Sequence, residues 1–291
     1  MTTSSDWRTL YPFESHWLET PAGRVHYVDE GAGEQAVLFV HGNPSWSFFY
    51  RNLILGLRDK FRCVAIDHLG MGLSDKPQDF SYRLANRIEH LDTMIRTLDL
   101  KKFHLVVHDW GGAIGIGAAL QHLGRLGRIQ VMNTAAFRSA RMPWQIGLCR
   151  APLIGEFFVR ALNGFAGSAT CMAVEKKLPE AVKNGYLHPH RNWHDRVAVA
   201  RFVQDIPMSP VHPSYPTLVD IEEHLPALAE HPMQIIWGMK DFCFNKDFLV
   251  EWEQRFPQAQ VHRLDSAGHY LLEDEPEQTL KLTQGFLSAS E

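Results

Sequence analysis

Residues 104–115 read HLVVHDWGGAIG, and the way this run turns decides the fold. Leu105, Val106 and Val107 form an apolar, β-forming stretch that His108 and Asp109 close, and Gly111 and Gly112 then open a small-residue helical stretch over 113–119. A strand that turns sharply into a helix through glycines leaves one side chain standing at the crest, and here that side chain is Asp109. The turn predicts Asp109 at positive φ, the geometry that lifts its carboxylate clear of a sheet. A carboxylate in that place can attack carbon directly and form an ester that water later cleaves. The competing reading is a buried Asp at a helix N-terminus, stabilised by the helix dipole. The surrounding sequence decides between them.

Outward from this turn, strand-like and helix-like segments alternate, the pattern of a mostly parallel sheet covered by helices. Residues 23–29 and 36–40 read as strands, 62–66 and 103–107 as buried parallel strands, and 46–58 and 84–98 as helices between them. After a strand at 129–133 the alternation breaks. Residues 137–215 read as helical and rich in Phe, Trp, Met and Leu, ending in the proline-rich loop 207–216. It resumes with a strand at 234–237, a helix at 246–256, a strand at 260–264 and a helix from about 275. The expected organisation is an α/β core of 1–136 and 216–291, with 137–215 as a helical cap over the sheet's carboxyl edge. In open α/β sheets ligands bind at that edge.

The bulk numbers exclude several function classes. A chain of 291 residues with 45% hydrophobic content supports one large core plus an insertion, and a net charge of −4 argues against nucleic acid or an anionic membrane as the main partner. Cys63, Cys149, Cys171 and Cys243 show no CxxC spacing and read as reduced thiols of a cytoplasmic protein. Residues 1–17 lack a basic region followed by an apolar stretch, so no signal peptide is expected, and no apolar run is long enough for a transmembrane segment. Residues 67–74, DHLGMGLS, lack the Lys and helix signature of a phosphate loop and read as a structural turn. His188, His190 and His194 read as an exposed segment rather than a metal site, and Trp46 and Phe48 as core.

Three further positions complete a candidate site. Residues 41–46 read HGNPSW directly after the strand 36–40, so the amides of Asn43 and Trp110 could both point at Asp109 as an oxyanion hole. His269 follows a Gly just after the last strand, which sets it apart from the other histidines. Asp241 follows the strand 234–237, one of two places where such folds carry the acid that orients a histidine. The other place, after the strand 129–133, holds Asn133 and Thr134, so Asp241 is the candidate.

The order 109, 241, 269 matches nucleophile, acid and histidine in the α/β-hydrolases. Read together, these residues make the sequence resemble that superfamily from about residue 20 to 285, and haloalkane dehalogenases most, in the subfamily with an Asp–Asp–His triad and an Asn–Trp pair. The details that carry the resemblance are Asp109 as nucleophile, Trp110 next to it and Asn43 in HGNP. Epoxide hydrolases usually carry an aromatic residue at the Asn43 position and two lid tyrosines. Fluoroacetate dehalogenases usually carry Arg after the nucleophile, and neither pattern fits. The resemblance implies a mostly parallel eight-stranded sheet flanked by helices, a cis peptide before Pro44, and Trp110 and Asn43 as halide donors. It implies attack by Asp109 on a halogenated carbon, followed by hydrolysis of the alkyl ester by water that His269 activates, with no metal or organic cofactor.

The β-lactone decarboxylases of bacterial long-chain olefin synthesis resemble the chain in the same residues, so a long-chain β-lactone giving an alkene and carbon dioxide is the alternative. An epoxide hydrolase ranks lower because its aromatic residue and lid tyrosines do not fit, and a catalytically silent binding protein of this fold because every member of the triad is present. Phe137, Trp144, Phe157, Phe158 and Phe165 are the candidate pocket residues. The expected partners are a small apolar halogenated substrate or the lactone, with halide and water. Homo-oligomerisation stays open.

Overall fold

The computed structural model describes residues 6–289, so the first five residues of the segment considered for a signal peptide lie outside it. Eight strands form one sheet in the order β1-β2-β4-β3-β5-β6-β7-β8. They are β1 His16–Thr20, β2 Gly23–Glu30, β3 Ala36–Val40, β4 Arg62–Ile66, β5 Phe103–Asp109, β6 Leu126–Thr134, β7 Met233–Gly238 and β8 Gln260–Leu264. The pairs β1/β2 and β2/β4 are antiparallel, and every other neighbouring pair is parallel. β3, β5 and β7 are buried along their whole length, which favours continuous apolar stretches such as AVLFV in β3 and LVV in β5 over alternation.

Side chains alternate between the two faces with the strand period of two. Leu38, Val40, Leu105 and Val107 point into one core layer with Ile88 and Trp252. Val37, Phe39, Val106 and Ile236 point into the other with Leu53 and Phe286. Helices Leu84–Thr97, Gly111–Ala119 and Tyr215–His224 pack together on the first face, and Arg51–Leu57 and Pro276–Leu287 on the second.

Two expected boundaries change. The helix at 46–58 is a 3-10 turn, Ser47–Tyr50, leading into Arg51–Leu57. Strand β1 has no counterpart in the sequence reading: it is a half-exposed edge strand of mixed polarity, without the apolar run that marks a buried one. Between β6 and β7 lie helices Trp144–Arg150, Ile154–Arg160, Ala166–Met172, Glu180–Leu187 and Val197–Gln204, followed by Tyr215–His224, which returns to the sheet. The segment 67–74 is a turn built on Asp67, whose carboxylate accepts from His26 Nδ1 at 2.8 Å, the Ser47 amide at 2.8 Å and the Leu73 amide at 2.9 Å. Trp46 and Phe48 are fully buried. Among the described residues no helix is long and apolar enough to cross a membrane.

Candidate active site

Strand β5 ends at Asp109, whose φ of 53° is the strained crest geometry expected of it. Close packing enforces the turn. A Cβ on Gly111 would run into the Val40 carbonyl, and one on Gly42 would occupy the space of the Asp109 carboxyl group. Thr134 Oγ1, at the end of β6, donates to the Asp109 carbonyl, and Trp252 Nε1 donates to the Thr134 carbonyl at 2.8 Å. The crest is therefore tied to the neighbouring strand and through it to the helix Lys246–Arg255.

The loop after β3 brings the Asn43 amide 2.5 Å from Asp109 Oδ1, and the Trp110 amide adds a second hydrogen bond to the same carboxyl group. The Asn43–Pro44 peptide is cis. Across the site, His269 Nε2 lies 3.7 Å from Asp109 Oδ2, while its Nδ1–H donates to Asp241 Oδ2 at 2.7 Å. Asp109, Asp241 and His269 are thus brought together with the Asn43 and Trp110 amides around one carboxylate. All but Trp110 are buried.

Electrostatics follow from this burial. Desolvation raises the Asp109 carboxyl above the usual range, and the His269 charge and the two amides pull against it. Burial opposes a charge on His269 as well, but Asp241 and Asp109 outweigh it and raise the imidazole. The charged form of His269, set between two carboxylates, favours the ionised form of Asp109, the form in which a carboxylate can attack carbon.

Supporting residues appear that the sequence reading did not assign. Asn133, held at φ 30° where the alternative acid would stand, donates through Nδ2 to Asp241 Oδ2 at 2.9 Å and to the Gly238 carbonyl at 3.0 Å. Its Oδ1 accepts from the Gly238 amide at 2.7 Å, and the Cys243 amide donates to Asp241 Oδ1 at 2.6 Å. The empty acid position thus orients the occupied one. His108 Nε2 donates to the His269 carbonyl at 2.9 Å and fixes that loop from beneath. The Asn43 side chain is less free than a simple anion donor: Nδ2 donates to the Val199 carbonyl at 3.2 Å, which leaves one of its N–H bonds for a ligand.

Asp109 and His269 open into a cavity of about 420 Å³ with mostly apolar walls. Phe137, Trp144, Phe158 and Phe165 line it, with Met142, Leu148, Val203 and Phe244 among the others. Phe157 does not: it is 57% exposed on the outer side of its helix, because adjacent helical residues point about 100° apart and Phe158 takes the inner side. Trp144 lines the cavity yet is 74% exposed, which puts it at the mouth. His190 also departs from expectation. It is buried, with Nε2 donating to the Pro44 carbonyl at 3.0 Å, so it buttresses the Asn43 loop.

Comparisons with known proteins agree with this architecture. A model of the alpha/beta hydrolase fold matches residues 35–276. The chain is 41% identical over 290 residues to a cis-3-alkyl-4-alkyloxetan-2-one decarboxylase of Shewanella oneidensis, covering 97% of this chain and 91% of that protein. A protein of the same name from Xanthomonas campestris is 40% identical, with 95% and 97% covered. Haloalkane dehalogenase 2 of Mycobacterium tuberculosis is 33% identical over 273 residues, with 92% and 93% covered. Among solved structures, a haloalkane dehalogenase from Bradyrhizobium elkani superposes with a TM-score of 0.86 at 24% identity, over 96% of this chain and all of that one, a likeness of fold.

Proposed function

The chain belongs to the α/β-hydrolase family, to the group that includes haloalkane dehalogenases and cis-3-alkyl-4-alkyloxetan-2-one decarboxylases, and from that premise we propose that it decarboxylates cis-3,4-dialkyl β-lactones to alkenes. The observation that carries this reading is the 41% and 40% identity to two decarboxylases along nearly the whole chain, against 33% to a dehalogenase. It reverses the order of the sequence reading, which put dehalogenation first.

Two alkyl chains would lie along the apolar walls of the cavity, each buried methylene contributing about 0.8 kcal/mol. The four-membered ring would sit over Asp109, with Oδ1 held by the Asn43 amide and Oδ2, which faces His269, left to attack. Asp109 attacks C4 of the ring and the C4–O1 bond breaks. The ring oxygen keeps that electron pair, giving an alkyl ester on Asp109 and a free carboxylate at C3. The indole N–H of Trp110 and the remaining N–H of Asn43 receive this anion. The C2–C3 bond then breaks, its electrons form the C3–C4 double bond, and the ester C–O bond returns its pair to Asp109 as carbon dioxide departs. Inversion at C4 followed by anti elimination gives a cis alkene from a cis lactone. No water and no net proton transfer are needed, so His269 serves by its charge, keeping Asp109 ionised before attack and stabilising the carboxylate that leaves.

Dehalogenation is the second reading, and the Trp110 indole N–H favours it: Nε1 makes no hydrogen bond to the described residues and is not sealed in the interior, as a halide donor requires. One comparison tests both. Purified protein is incubated with a cis-3,4-dialkyl oxetan-2-one and, separately, with 1-bromobutane, and alkene and bromide are measured. Alkene formed far faster than bromide supports decarboxylation. Bromide release with an inert lactone, or a β-hydroxy acid in place of alkene, overturns it.

A further inference from the structure

Arg87, on the helix Leu84–Thr97, is 2% exposed. A guanidinium carries five N–H donors. Here Nη1 donates to Asp205 Oδ2 at 3.2 Å, whereas Nε and Nη2 have no hydrogen-bond partner among the described residues. Asp205 is also shared, accepting from Arg83 Nη1 at 3.0 Å and from Ser214 Oγ at 2.7 Å. One carboxylate therefore faces two guanidiniums, and of these only Arg83 reaches solvent. In place of further acceptors Arg87 has aromatic faces. Its Cζ lies 3.6 Å from the Phe202 ring centroid and 5.5 Å from that of Trp110, and the two rings meet edge to face at 5.6 Å.

Burial pushes the Arg87 guanidinium down to about 10, which leaves it cationic at neutral pH. A surplus positive charge thus lies against the ring of Trp110, a residue that lines the cavity and whose indole N–H makes no hydrogen bond to the described residues. Burying a cation with two unmatched donors costs stability, and a Met would fill similar space without that cost. Packing alone does not account for the residue.

We propose that Arg87 is a positioning residue for the anion formed beside Asp109, its charge acting through the Trp110 indole to strengthen that ring's N–H as a donor. A cation on an aromatic face draws electron density from the ring, and in a dry interior its field reaches the far side little screened. The helix Val197–Gln204 unites the arrangement. It carries Phe202, which packs against both the Arg87 guanidinium and the Trp110 ring, offers the Val199 carbonyl that holds Asn43, and leads into Asp205. Both expected donors of the anion are therefore set by one helix that Arg83 and Arg87 fasten to the core. The inference rests on the reading of Trp110 as an anion donor.

Bromide is the probe, its binding followed as the saturable part of tryptophan fluorescence quenching. Arg87→Met weakens bromide binding about tenfold and lowers kcat on the lactone with KM little changed. Arg87→Lys, which keeps the charge, recovers most of the loss. Asp205→Asn removes the opposing charge and leaves binding equal or tighter. Equal weakening in Arg87→Met and Asp205→Asn would mean that the pair is only a fastening between helices, and the proposal fails. It fails too if Arg87→Met binds bromide as the parent does. Should Arg87→Met not fold, Asp205→Asn decides alone: weaker binding overturns the proposal, and equal or tighter binding supports it. Trp110→Phe should abolish the saturable quenching. If it does not, the anion-donor reading beneath the proposal is the part that has failed.

Discussion

Replacing Asn133 with Ala should destabilise the protein more than most single changes, and the cost can be worked from its contacts. Asn133 is fully buried and makes three hydrogen bonds, to Asp241 Oδ2, to the Gly238 carbonyl and from the Gly238 amide. Losing the donor to a charged carboxylate costs about 2 kcal/mol, and leaving the Gly238 amide without an acceptor costs about 1–3 kcal/mol more. Ala also tolerates φ near 30° less well than Asn, whose enrichment in the left-handed region reflects its short polar side chain. The total is about 4 kcal/mol, read as a lowered midpoint in urea unfolding. Asn133→Asp keeps the shape and the acceptor for the Gly238 amide but sets a second carboxylate against Asp241. Its deficit should shrink on acidification, as the pair takes up a shared proton. An Asn133→Ala variant less than about 1 kcal/mol below the parent would refute the view that the empty acid position holds the occupied one.

Asp109→Ala should abolish turnover of every substrate, whereas Asp241→Asn should leave a slow enzyme, because only Asp109 forms a bond and Asp241 orients His269; steady-state rates check both. Stability should fall in acid. His41 and His190 are buried and pushed down to about 4, so the native state binds fewer protons than the unfolded chain below the ordinary value of 6.5. The stability they contribute is complete above pH 6.5 and is lost as the pH falls toward 4. Each should cost about 2 kcal/mol by pH 5, measurable by urea titration at pH 7 and pH 5, with His190→Gln flattening the difference.

The elbow was legible because its constraint is local. An apolar strand meeting paired glycines forces one crest residue, and Asp109 sits there at positive φ. The order of Asp109, Asp241 and His269 was readable for a related reason, since each follows a strand at the same edge of the sheet. Contacts that depend on distant pairing were not. Nothing local marks Arg87 within the helix read at 84–98, and its partner Asp205 is far away in sequence. Asn133 could be seen only as a missing carboxylate, and its hydrogen bond to Asp241 needs β6 and β7 side by side. Phe157 and Phe158 are indistinguishable as neighbouring aromatics until the helix is oriented. Decarboxylation and dehalogenation could not be ranked from site residues, because both begin with carboxylate attack on an sp3 carbon and both generate an anion beside Asp109.

What separates the two chemistries is water, and His269→Ala reads that difference directly. The assay belongs near pH 8.5, because burial already raises Asp109 and removing the His269 charge raises it further. With a cis-3,4-dialkyl oxetan-2-one, the variant should keep forming alkene over many turnovers, since the alkyl ester collapses without hydrolysis. With 1-bromobutane it should release about one bromide per site and stall, leaving an alkyl ester that mass spectrometry places on Asp109. A variant that stalls after one lactone with an adduct on Asp109, or a parent enzyme that converts the lactone to a hydroxy acid, would contradict the account.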